Sequence, residues 1–243
     1  MSALTLAQSG PVIPDFGRGD DCIRNNGKFC MQWFLDNFDQ RFLPRIGEHI
    51  KMTAIAIVIG FVIAFGAALI AHRHTRFEMP FANVAALFYT IPSIAFFQIM
   101  VPITGIGWTS ILIALVSYTL LILFRNILTG LREVPAEVKE AAEGMGLTRR
   151  QTLMRVELPL AVPAIMAGLR VATVTTISLA TIAAYITPLG LGAPIFGAIQ
   201  TGANTEFVGA SLIAIALALL ADVFIVGLQR VVSPWTRARR RSA

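Results

Sequence analysis

The chain has 243 residues, of which 56% are hydrophobic and 14% charged, with a formal net charge of +6 and a mean hydropathy of +0.70. A soluble globular domain is nearer a quarter charged, so this balance excludes that class and places an all-α protein in a bilayer. The basic residues flank apolar runs instead of sharing one face, which is a pattern of membrane orientation and gives no reason to expect a nucleic-acid partner.

The first 30 residues hold no apolar stretch preceded by basic residues, so no cleavable signal peptide is expected. Cys22 and Cys30 lie in a polar stretch without CxxC spacing or a nearby His, which argues against a metal site. Residues 31–46, MQWFLDNFDQRFLPRI, are apolar enough to suggest a span. Asp36, Asp39, Arg41 and Arg45 oppose that, at about 2.5–3.5 kcal/mol for each Asp or Arg at a helix centre. Phe34, Phe38 and Phe42 recur every fourth residue, which suits a helix lying in the outer interface and equally one packed on a helical bundle. Residues 1–50 are therefore read as an N-terminal extension carrying an interfacial helix.

Five segments are long and apolar enough to cross: Met52–Ala71, Pro80–Val101, Trp108–Leu128, Val162–Ile186 and Val208–Gln229. Each is close to the ~20 residues that a helix needs to cross ~30 Å. They define a transmembrane domain over 51–230, followed by a basic tail at 231–243. Lys and Arg set the orientation. Arg73 and Arg76 follow the first span, six basic residues from Arg125 to Arg155 lie between the third and fourth, and Arg230 to Arg241 follow the fifth. Pro102–Gly107 and Thr187–Glu206 contain no Lys or Arg. The N-terminus is therefore expected outside, and the 125–160 segment and C-terminus in the cytoplasm. An outside N-terminus also puts Cys22 and Cys30 where a disulfide between them persists. The Gly- and Pro-rich stretch after the fourth span is expected to carry a short external helix near Ile195–Thr201.

The polar segment about 130–160 has its own local logic. Pro135 suits a first helical turn, and Glu137 and Glu140 suit a positive helix N-terminus. Ala141 and Ala142 are helix formers of small bulk that would let a partner approach closely. Gly144 and Gly146 end that helix. Thr148 with Gln151 forms a capping box that opens a second, basic helix, and Pro159 and Pro163 are expected to close the segment at the membrane.

Glu140–Ala141–Ala142, Gly146, Val156 and Leu158–Pro159 together resemble the EAA loop of ABC importer permeases, EAA-x3-G-x9-I-x-LP, with Val156 in the Ile place. The resemblance covers nearly all of 48–230. The segments YTIPSIAFFQIMVPITGIG (89–107) and LPLAVPAIMAGLRVATVTTISLATIAAYI (158–186) are similar to the osmoprotectant branch. After the fourth span Thr187–Gly192 reads TPLGLG, where that branch usually has GAGGLG, and the Cys-containing extension lies outside the match. The resemblance implies a type I ABC importer permease fold with five transmembrane helices in the cytoplasmic membrane. It implies coupling to a separate ATPase through Glu140, Ala141, Ala142, Gly146, Leu158 and Pro159. A second permease copy or related permease, an external substrate-binding protein and surrounding lipid are the other implied partners. Glycine betaine, carnitine, choline or a similar quaternary amine is the implied solute, with another zwitterionic or amino-acid-like solute, ergothioneine among them, as the alternative.

Two charges fall inside predicted spans, Arg170 at roughly 12 Å and Asp222 at roughly 10 Å from the cytoplasmic end by helical rise. Intramembrane charges pair or face water, so the two are expected within salt-bridge reach, the alternative being a snorkelling Arg170 and a hydrated Asp222. Tyr89, Phe96, Phe97, Tyr118 and Tyr185 are candidates to line the pathway for a quaternary ammonium, against simple packing or lipid contact. His49, His72 and His74 sit near the ends of the first span, where solvated interfacial positions are expected. No GxxxxGK[ST], HExxH, CxxC or GxSxG is present, so no catalytic residue, metal or cofactor is expected, and ATP must be split elsewhere. An ion-coupled carrier and a nontransporting scaffold are the competing classes. Asp222 alone is available as a coupling carboxylate, and a scaffold leaves the organised loop unexplained.

Overall fold

The computed structural model describes residues 21–234, and these form helices joined by short connections. α1 (Asp21–Arg24) and α2 (Met31–Asp36) precede a π-helical turn at Phe38–Phe42 that runs directly into α3 (Leu43–Arg73). α4 (Thr75–Thr90) and α5 (Ser93–Thr104) lead to α6 (Trp108–Arg132). α7 (Ala136–Gly144) and α8 (Arg149–Thr152) form the polar loop, and a second π turn at Leu153–Glu157 joins α8 to α9 (Leu158–Ala183). α10 (Gly192–Thr201) and α11 (Asn204–Val232) complete the order.

Four runs are long and apolar enough to cross a membrane: Phe38–Arg73, Trp108–Arg132, Arg149–Ala183 and Asn204–Val232. The fifth predicted crossing, Pro80–Val101, is corrected from one helix to two, with α4 and α5 meeting at 101°. Pro92 is the cause. It lacks an N–H, and it pushes Ile91 out of the helical region to φ −67°, ψ 129°. The Tyr118 hydroxyl donates to the Ile91 carbonyl, so the break leaves that acceptor satisfied inside the bundle.

α3, α6 and α9 form the centre, with α4 and α5 packed on α6, and α11 on α9. Lipid tails are as apolar as leucine, so association relies on close packing of small residues. α3 supplies Gly60, Ala64, Ala67, Ala68 and Ala71 to this contact. A Cβ on Gly60 would fall 1.9 Å from Thr119 Oγ1, and one on Gly168 would fall 2.5 Å from Asn126 Cβ. These helices touch backbone to side chain, with no room for a methyl group.

Residues 31–42 pack on the bundle through two of their phenylalanines, while Met31 and Leu35 are exposed. Phe42 is fully buried, the Phe34 ring lies 5.0 Å from it, and Phe34 covers Gly209 of α11. Two of the four charges that discouraged a span here are paired, Arg41 with Glu206 at 3.5 Å and Arg45 with Glu48 at 2.9 Å. The expected closure at Pro159 and Pro163 is also corrected, because the helix continues through both. The Pro159 ring crowds the carbonyl of Arg155, and the π turn over Leu153–Glu157 opens the ladder at that point.

Candidate coupling loop and intramembrane ion pair

The sharp turn of the loop is a complete Schellman motif. Leu147 N–H donates to Ala142 O at 3.1 Å and Gly146 N–H to Glu143 O at 2.9 Å. Gly146 sits at φ +82°, a left-handed conformation that costs a residue with a Cβ about 1–2 kcal/mol. Nothing lies within 4 Å of a Cβ built there, so the requirement is one of backbone conformation alone. Thr148 then caps α8: Gln151 N–H donates to its Oγ1 at 3.4 Å, and Thr148 N–H donates to Gln151 Oε1 at 2.8 Å.

Glu140, Ala141 and Gly146 are exposed on this knuckle. Ala142 is 1% exposed and faces the bundle, which corrects the expectation that both alanines meet a partner. α7 packs on α8 and on the π turn at Leu153–Glu157, which accounts for the burial. Met145, 74% exposed at the tip, was not signalled by any motif; an apolar side chain at the C-cap beside a left-handed glycine is the available clue. Leu158 and Pro159 are half-buried at the base of the loop. The loop is tied to the bundle through Glu157, which accepts from His72 Nε2 at 2.6 Å and lies 4.0 Å from Lys139 Nζ.

Along the half-exposed seam between α9 and α11 the structure brings Arg170 and Asp222 together. Arg170 Nε donates to Asp222 Oδ1 at 2.7 Å and Nη2 donates to Oδ2 at 2.9 Å. This two-point geometry holds α11, the least buried spanning helix, against α9.

The aromatic candidates divide. Phe96 and Phe97 are buried in the core with Ile111, Leu115 and Ala180, and Tyr118 is buried with them, so these three are corrected from pathway-lining to packing roles. The bend at Pro92 turns α5 inward onto α6, which is why hydropathy alone misplaced them. Tyr89 and Tyr185 are exposed at 43% and 57%, Tyr89 edge-on to Tyr118 and Tyr185 edge-on to Phe196.

At the end of the bundle opposite the loop, α3 grips the α9–α10 connection. Arg45 Nη1 donates to Pro188 O at 2.9 Å, and Gly190 N–H donates to Glu48 Oε2 at 3.0 Å. His49 is fully buried, which corrects the solvated position expected for it. Leu191 N–H donates to its Nδ1, leaving Nε2–H to donate to Ile177 O at 3.1 Å. His72 is likewise half-buried on Glu157, and His74 alone of the three is exposed. Outside this, Cys22 and Cys30 form a disulfide with a Cα separation of 5.8 Å. Within its loop Asn26 donates to Gly202 O at 2.7 Å and accepts from Asn204 N at 3.1 Å, and Cys30 N–H donates to Thr205 Oγ1 at 2.9 Å.

A helical bundle with four helices long and apolar enough to cross a membrane, a sharply bent fifth pair and an exposed helix–turn–helix knuckle has the make-up of the membrane subunit of a transporter driven by a separate ATPase. The chain belongs to the family of binding-protein-dependent transport system inner membrane components, whose model matches residues 56–238. It is 30% identical over 204 residues to the glycine betaine/carnitine/choline transport system permease protein OpuCB of Bacillus subtilis, covering 84% of this chain and 94% of that one. It is 37% identical over 170 residues to the ergothioneine transport permease/ergothioneine binding protein EgtU of Helicobacter pylori, covering 70% of this chain and 30% of that longer protein. Its fold matches inward-facing structures of the MetNI methionine ABC transporter with a TM-score of 0.68 at 22% identity, over 83% of this chain and 97% of that one. It is a multi-pass protein of the cytoplasmic membrane and not itself an enzyme, and its fold calls for an ATPase and a substrate-binding protein.

Proposed function

We propose that this permease imports osmoprotectants, namely glycine betaine, carnitine, choline or a similar quaternary amine. The observation that carries the reading is the near full-length likeness to OpuCB, which extends well beyond the loop. ATP-driven closure of the ATPases moves the knuckle formed by Glu140, Ala141, Met145 and Gly146, with Leu158 and Pro159 at its base, and the spans alternate between inward and outward access. Two permease chains, identical or related, frame the pathway. The charge distribution supports an external N-terminus and a cytoplasmic loop and C-terminus. Selection rests chiefly with the binding protein, where aromatic faces attract a quaternary ammonium.

The test is ATP-dependent uptake of radiolabelled glycine betaine, carnitine and choline by the reconstituted complex, wild type against Gly146→Asp. Uptake of at least one solute, abolished by the substitution, is expected. ATPase stimulation by none of the three, but by ergothioneine, would replace the solute; the likeness to EgtU favours that second reading.

A further inference from the structure

A cavity of about 890 Å³, open to the surface on one side, lies between the end of α3 and the inner side of the loop. Its wall is strongly basic. Arg73 and His74 approach from the α3–α4 corner, Lys139 from α7, and Arg149 and Arg150 from α8. The carboxylates do not balance them. Glu157 is already engaged by His72 and Lys139, which leaves Glu143 against Arg73, Arg149 and Arg150. Those three arginines have no ion pair among the described residues, and the cavity brings all three to one space.

A second observation is independent of charge. Thr152 lines the same cavity and is 3% exposed, and its Oγ1, itself shielded, has no hydrogen-bond partner among the described residues. A buried hydroxyl without a partner is costly and is usually satisfied by something absent from the bare chain. A basic chamber with an unsatisfied hydroxyl in its wall suits an anion with several oxygens.

We propose that this cavity binds a phosphate-bearing anion, with Arg73, Arg149 and Arg150 supplying charge-assisted hydrogen bonds and Thr152 contributing its hydroxyl after a small rotation. Two sources share this chemistry, an anionic lipid headgroup and a free phosphate. The position fits the first, because Arg73 closes a spanning helix whose Ile70 is exposed one turn before. Lys139 and Glu143 are the α7 residues that line the chamber, while Glu140, Ala141 and Met145 are outside its lining and stay free for the ATPase.

The complex of permease and ATPase is extracted from phosphatidylcholine membranes containing phosphatidylglycerol, and retained lipid is measured by mass spectrometry. Inorganic phosphate is titrated separately by calorimetry. Preferential retention of phosphatidylglycerol, reduced about tenfold in Arg150→Gln and again in Arg149→Gln/Arg150→Gln, assigns the site to a headgroup. Saturable binding of inorganic phosphate with the same loss assigns it to a soluble anion. Thr152→Val removes only the hydroxyl and weakens either ligand without lowering stability, whereas a purely structural threonine leaves binding unchanged. Arg155→Gln, exposed and outside the cavity, is the neutral control. The proposal is overturned if wild type shows neither preference nor phosphate binding. It is equally overturned if the arginine variants release the ATPase while lipid and phosphate binding stay intact, since the basic wall then serves the protein partner.

Discussion

The hydroxyl of Tyr118 and the carbonyl of Ile91 form the hydrogen bond that closes the break in the second crossing. Ile91 is the last residue before Pro92, so its carbonyl has lost the helical environment on one side. Tyr118 stands on α6 and brings a donor to it from a ring otherwise packed edge-on against Phe96. Tyr118→Phe keeps that ring and removes the donor. Thermal unfolding of the purified permease should show a loss of about 1–3 kcal/mol, the cost of an unsatisfied buried acceptor. An unchanged midpoint would mean that water reaches Ile91.

Gly146 stands at φ +82° in open space, so its replacement tests backbone conformation without steric interference. Gly146→Ala should cost the turn about 1–2 kcal/mol and weaken copurification of the ATPase while the bundle remains folded. Gly197→Ala, helical and equally uncrowded, should leave assembly unchanged. Equal effects of the two on assembly would refute a special role for the Schellman turn.

Arg170 and Asp222 should depend on each other. Asp222→Asn and Arg170→Gln should each reduce the yield of folded protein in membranes, because each leaves its former partner within the bundle. The exchanged pair, Arg170→Asp with Asp222→Arg, should recover part of that loss. Recovery no better than in either single variant would remove the pair as the bond between α9 and α11.

Gly190 is constrained on two counts, a φ of +61° and a position where a Cβ would meet His49 Nδ1 at 2.8 Å. Gly190→Ala should therefore displace the His49 ring and break its bond from Leu191 N–H. The loss of stability should exceed that of Gly146→Ala, where strain acts alone. Similar midpoints for the two variants would show that His49 gives way freely.

The Cys22–Cys30 bridge predicts no alkylation of either thiol before reduction. Mass spectrometry of the native protein is the check, and labelled Cys22 or Cys30 in membranes would contradict the pairing. Closing a loop of this size contributes about 2–3 kcal/mol by the chain-entropy argument. Cys30→Ser should accordingly loosen the contacts of Asn26 with Gly202 and Asn204.

Features that depend on neighbours in sequence were readable before any coordinates. The Thr148–Gln151 box, the Gly146 turn and the helix starting after Pro135 need only a few consecutive residues to specify them. The apolar runs were equally plain, because bilayer thickness imposes their length. What escaped was set by distant parts of the chain. The proline at 92 was visible and marks the break, but it does not by itself state the 101° angle or that α5 comes to rest on α6. His49 looked interfacial because its partners, Ile177 and Leu191, arrive from 128 and 142 residues away. Phe34, Phe38 and Phe42 showed their common helical face, yet what Phe34 and Phe42 cover, Gly209 of α11, lies more than 160 residues away. Ala142 and Ala141 are adjacent and chemically identical, and the packing of α7 on α8 and the π turn buries one and leaves the other exposed.

The capped start of α8 has a mechanical implication. From Arg149 to Ala183 the chain is one helical run of 35 residues, widened at Leu153–Glu157 but never interrupted. At ~1.5 Å per residue that is a rod of about 50 Å, longer than the hydrocarbon layer is thick. A displacement at Thr148 is therefore passed along one continuous helical run as far as Ala183. The π turn at Leu153–Glu157 and the prolines at 159 and 163 are where its hydrogen-bond ladder departs from that of a regular α-helix.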